Sequence, residues 1–140
     1  MLVIYVSKIT KMTCDSSFLL GVARGNKKAA SIWSRIKEGS IKLLIPSVSF
    51  VKFCSELLKN AEERYMDVFL AAIRAMLNIK VIPIDLGVAI EAGHFMQRGL
   101  DFEAAIVGAI ASMYKVDGII SINKQYYTNK LLSIPVIDEL

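Results

Sequence analysis

The chain has 140 residues, 54% of them hydrophobic and 21% charged, which suits one domain with a single core and excludes a disordered chain. Its 17 basic and 13 acidic residues leave a net charge of +4, which permits an acidic partner such as RNA without demanding one. Cys14 and Cys54 form no CxxC pair and there is a single histidine, so neither a disulfide framework nor a Cys/His zinc site is supported, and the two read as buried or half-buried thiols.

In chain order, "LVIYV" is a strand candidate, and "ITKMTCD" continues it or forms a second strand. "MLVIYV" is too short for a signal-peptide core, and no apolar run approaches the roughly 20 residues of a membrane span. A cytoplasmic protein is therefore expected. "SSFLLGVARG" reads as a short helix ending at Gly25, where a left-handed cap costs little. "NKKAASIWSRIKEG" is a clearer helix, with Ala29, Ile32, Trp33 and Ile36 on one apolar face. Arg24, Lys27, Lys28, Arg35 and Lys37 fall on these first two helices and read as a solvated face.

"IKLLIPS" is a buried strand stopped by Pro46, and "VSFVKFCSELLKN" and "AEERYMDVFLAAIRAMLN" are helices. The second of these places Met66, Phe69, Leu70, Ile73 and Leu77 at helical spacing. "KVIPID" is a strand, followed by the helix "GVAIEAGHFMQRG", with Asp85 read as its cap and His94 as a surface histidine. "DFEAAIVGAIASMYK" is a helix with small residues at Ala104, Ala105, Gly108, Ala109 and Ala111, which permit a close approach, and Asp101 as its cap. "DGIISIN" is a strand, "KQYYTN" a turn of helix and "IPVIDE" a short last strand. Tyr126 and Tyr127, with Lys124 and Lys130, read as a solvated loop.

Strands alternating with helices predict a three-layer α/β domain, a central mainly parallel sheet flanked by helices. In such sheets chemistry gathers at the carboxyl ends of the strands, where the strand order switches. The residues there are Asp15, those after Pro46, Asp85 and Asn123.

The order of "CDSSFLL", "GSIKLLIPSVSFVKFCSEL", "KVIPID", "EAAIVGAIASMYKVDGIISINKQY" and "IPVIDEL" resembles the PIN-domain ribonucleases, which include VapC-like toxins of toxin–antitoxin pairs. The resemblance spans residues 12–140 as one PIN-like domain and leaves 1–11 as an N-terminal extension or part of the first strand. It implies hydrolysis of RNA at a cluster of acids holding Mg²⁺ or Mn²⁺, where carboxylate-bound metal activates water and offsets phosphate charge. It also implies an RNA groove, a homodimer contact and an antitoxin partner.

Carried over position by position, Asp15 matches the first acid, with Ser17 as polar support. The second acid position holds Lys52 and the third Ala104. The last holds Asn123, with Ser121 beside it. Only Asp15 stays a carboxylate in register, so the resemblance implies a degenerate metal site. Lys52 is expected to pair with Asp15, an ion pair that needs no metal. Glu103, one residue and about 100° of helix from Ala104, is expected beside the site. An active site using Asp15, Glu103 and Asn123 remains an alternative, as does a non-catalytic, antitoxin-like interaction module. A second register stays open too, with "VIYVSKIT" as the first strand, Ser7 in the first acid position and "TKMTCDSSFLL" inside a helix.

Overall fold

In a computed structural model, which describes residues 10–127 and 132–140, the expected alternation is present. Strand β1 (Thr10–Cys14) leads into α1 (Ser16–Ala23) and α2 (Lys27–Lys37). Then follow β2 (Ile41–Pro46), α3 (Ser47–Lys59), α4 (Arg64–Ala75), β3 (Ile79–Ile82), α5 (Leu86–Gln97), α6 (Phe102–Met113) and β4 (Gly118–Ile120). A 3₁₀ turn (Lys124–Tyr127) and β5 (Val136–Ile137) complete the order. "LVIYV" and Ser7 lie outside the described residues. The stretch that the second register placed in a helix, Thr10–Cys14, is strand, and Thr10 and Lys11 belong to it.

The five strands form one sheet in the order β3-β2-β1-β4-β5, and every described pair is parallel. Alternation along the strands builds two cores. Leu43 and Ile45 face the side covered by α1 to α4, and Leu44 faces α5 and α6. From β1 in the middle of the sheet the described chain works outward to β3, then crosses back to β4 on the other flank of β1. The order therefore switches between β1 and β4, and a crevice opens beyond their carboxyl ends.

Local chemistry explains most boundaries. Gly25, at φ 78°, takes the left-handed conformation that ends the α1 turn. Ala29, Ile32 and Ile36 are buried as their spacing predicts. Trp33 packs on Phe69 with ring centroids 5.0 Å apart, and Phe69 on Phe53 at 4.7 Å. The α4 face departs from expectation: only Phe69 is fully buried, and Leu77 is 96% exposed beyond the helix end. β3 stops at Ile82, because Pro83 has no N–H to continue a ladder. Along α6 every residue from Ala104 to Ala111 is buried. Gly108 permits this closeness, since an added Cβ would come within 3.0 Å of Leu132 Cδ2.

Ser49 is fully buried on α3, and its hydroxyl has no hydrogen-bond partner among the described residues. An unpaired buried hydroxyl costs about 1–3 kcal/mol. Ser49→Ala is therefore expected to raise unfolding stability by about 1 kcal/mol, measured as a shift of the urea midpoint at unchanged m-value.

Candidate functional site

Asp15 follows β1 directly and is 3% exposed. Its extended backbone caps α1, and Oδ1 accepts from the Phe18 N–H at 3.2 Å. Oδ1 also accepts from Ser17 Oγ at 2.5 Å. Oδ2 accepts from Ser121 Oγ at 2.5 Å and from the Tyr127 hydroxyl at 3.0 Å. A carboxylate offers about four acceptor sites, so Asp15 is saturated by its own chain. Ser17 Oγ in turn accepts from the Ile122 N–H at 3.0 Å, and Ser121 Oγ from the Asn123 N–H at 3.1 Å. This lattice ties the end of β1 to the turn after β4.

Glu103 is the second carboxylate. It rises from the first turn of α6 and reaches the start of α1, where Oε2 accepts from the Ser16 N–H and Oε1 from Ser16 Oγ, both at 2.9 Å. Negative charge at a helix N-terminus is favourable. Lys52 Nζ on α3 lies 3.3 Å from Glu103 Oε1, the Lys52 side chain 57% exposed and that of Glu103 13%.

Two expectations are corrected here. Lys52 pairs with Glu103 and not with Asp15, whose oxygens are already taken by four donors. Glu103 turns into the crevice, because the N–H of Ser16 in the first turn of α1, with no partner inside its own helix, draws its carboxylate across. Ala104, the position expected to carry the missing acid, is 3% exposed and belongs to the core under α6.

Asp15, Lys52 and Glu103 border two adjoining cavities of about 350 and 340 Å³. The second also takes in Asn123, Ser17 and Glu56, which stands one turn beyond Lys52. Ser121 is buried at the base of the lattice. Two residues escape a reading of the sequence. Tyr127, read there as loop, is 8% exposed with its hydroxyl on Asp15. The "YY" doublet is the one trace of it, the first ring half-exposed and the second buried within one 3₁₀ turn. Glu56 carries no signal beyond its spacing from Lys52. Asp101 makes no side-chain cap hydrogen bond, contrary to expectation, whereas Asp85 caps α5 by accepting from Val88 N–H at 2.9 Å. His94 is exposed.

Burial pushes the Asp15 carboxyl above the ordinary carboxylate range, helped by the charge of Glu103 and opposed by the hydrogen bonds from Ser121, Ser17 and Tyr127. Burial and the Asp15 charge push the Tyr127 phenol far upward, so it remains a donor. The sign of the pH effect follows. A carboxyl whose folded pKa is raised binds its proton more tightly folded, so its contribution is complete below the unfolded value near pH 3.9. That contribution is lost as pH rises through the folded value. Stability is expected to fall over this window in the native protein, and Asp15→Asn should flatten that part of the stability–pH curve measured by urea unfolding.

A divalent ion held by protein carboxylates fits this donor set poorly. Asp15 has no free acceptor site, and Glu103 already takes two bonds from Ser16 and faces an ammonium. Among the described residues no group of three or more His, Cys, Asp or Glu is placed to hold a metal ion.

No protein-family model and no curated protein matches the chain. Solved structures do. A toxin–antitoxin complex from Klebsiella pneumoniae aligns at TM-score 0.70 and 16% identity, covering 92% of this chain and 99% of that one. A DNA-bound VapBC from Salmonella typhimurium aligns at 0.71 and 16%, covering 91% and 97%. The Mycobacterium tuberculosis VapC20, a Sarcin-Ricin loop cleaving toxin, aligns at 0.68 and 12%, covering 88% and 98%.

Proposed function

The chain has the PIN-like fold of VapC-type toxins, and from that premise we propose that it is a ribonuclease-like protein that holds RNA without cutting it through a bound metal. The observation that carries this reading is the Lys52–Glu103 pair at 3.3 Å, an internal cation lying against a carboxylate of the crevice. Lys52 keeps more than half of its surface open to an RNA phosphate. Arg24, paired with Glu62 at 3.0 Å, borders a neighbouring cavity with Ser17 and Asn123 and adds a second cation near the crevice. The unit is residues 12–140, with Thr10 and Lys11 completing its first strand.

The test is a labelled single-stranded RNA followed for binding and for cleavage, in Mn²⁺ and in EDTA. Binding that EDTA leaves unchanged, with no cleavage in Mn²⁺, is the expected result. Cleavage abolished by EDTA would sink it and favour the second reading, an active Mg²⁺- or Mn²⁺-dependent ribonuclease on Asp15, Glu103 and Asn123. What supports that second reading is that these three residues border one cavity.

For partners, the Klebsiella relative is a complex of toxin with antitoxin, and an antitoxin-like protein is the corresponding proposal here. Exposed Leu86 and Ile90 on α5, with Met113 of α6 nearby, form the apolar stripe proposed for a second copy of the chain. Among the described residues no helix is long and apolar enough to cross a membrane. Residence in the cytoplasm is part of the proposal.

A further inference from the structure

The 350 Å³ cavity has features that the Lys52–Glu103 pair does not explain. Its size falls within the roughly 300–1,000 Å³ of small-molecule sites. Phe102 borders it at the first position of α6 and is 57% exposed, and Tyr126 borders it at 51%. Two half-open aromatic rings at one cavity contribute little to folding, since most of their apolar surface stays wet. Asp101, the residue before Phe102, also lines the cavity and is exposed. It occupies the cap position of α6 without a side-chain cap hydrogen bond, and none of the ion pairs among the described residues involves it. Exposed aromatic rings and an exposed carboxylate lining one cavity define a narrow chemistry.

Resting on the RNA-holding reading above, we propose that this cavity is a guanine-selective base site, with the ring stacked on Phe102 or Tyr126 and its N1–H and N2–H donated to Asp101. Guanine alone among the four bases presents two adjacent donors that match both oxygens of one carboxylate. Uracil offers one N–H between two carbonyls, which a carboxylate repels. Adenine and cytosine offer one amino group beside a ring acceptor. Lys52, on the same cavity, is the donor available to guanine O6. Stacking on aromatic rings is tolerant of base identity, so the selectivity resides in Asp101.

The experiment titrates the full chain with two short RNAs, UUUGUU and UUUAUU, and separately with guanosine and adenosine, by calorimetry in EDTA. The G-containing RNA is expected to bind about tenfold more tightly than the A-containing one, the discrimination of one good bidentate pair. Asp101→Asn should bring the two RNAs level at an unchanged unfolding midpoint. Phe102→Ala should weaken both RNAs alike. Equal binding of the two RNAs by the native chain, or a G preference that survives Asp101→Asn, overturns the base site while leaving RNA binding intact. Guanosine bound selectively without either RNA keeps the base site and overturns the RNA-holding reading. Binding of neither RNA and neither nucleoside overturns both.

Discussion

Lys52→Glu is expected to bind Mn²⁺ far more tightly than the native chain. The exchange removes the ammonium 3.3 Å from Glu103 Oε1 and places a third carboxylate in the crevice with Asp15 and Glu103. The charge changes by two units next to two acids. A pair of unit charges 4 Å apart interacts by about 4 kcal/mol at an effective dielectric near 20. Water around the half-exposed Lys52 reduces that, so we expect a gain of about hundredfold in Mn²⁺ affinity, or roughly 2.8 kcal/mol. Calorimetric titration of native, Lys52→Met and Lys52→Glu proteins measures it, with the methionine variant falling between the other two. Native protein that binds Mn²⁺ as tightly as Lys52→Glu would show that the ion pair does not displace a metal. Ala104→Asp should add nothing to the site and should lower stability, because Ala104 is 3% exposed and a carboxylate there would be buried in an apolar core.

Asp15→Ala is expected to lower unfolding stability by about 3–5 kcal/mol, with Tyr127→Phe lowering it by about 1 kcal/mol. The alanine removes the α1 cap, worth about 1 kcal/mol. It also leaves the hydroxyls of Ser17, Ser121 and Tyr127 and the Phe18 N–H without their shared acceptor. Each is buried or half-buried, so water replaces the lost bonds poorly. Urea unfolding of the two variants and of Ser17→Ala measures the lattice. An Asp15→Ala loss below about 1 kcal/mol would show that Asp15 is only a cap.

The residue sequence of elements was legible because each rests on local rules. Ala29, Ile32 and Ile36 repeat at helical spacing and are buried; Pro46 marks the end of β2; Gly25 ends the α1 turn. The parallel sheet followed from strand–helix alternation. Asp15 stood out as the acid after the first strand, whereas Ser17 and Ser121 entered as polar support through the family resemblance and bond to Asp15 in the structure.

What lay beyond the sequence was direction. A rotation of 100° per residue puts Glu103 beside Ala104, yet the free N–H groups at the start of α1 draw its long side chain into the crevice. Lys52 had two acids within possible reach, and only the filled acceptor sites of Asp15 decide for Glu103. Tyr127 becomes a buried donor because the sheet order carries the turn after β4 next to the end of β1, over a hundred residues apart in the chain. Local periodicity and capping determine which segments are helix or strand. Which side chains share a crevice is decided by packing, because it depends on donors and acceptors that meet only when β1, α3, α6 and β4 come together.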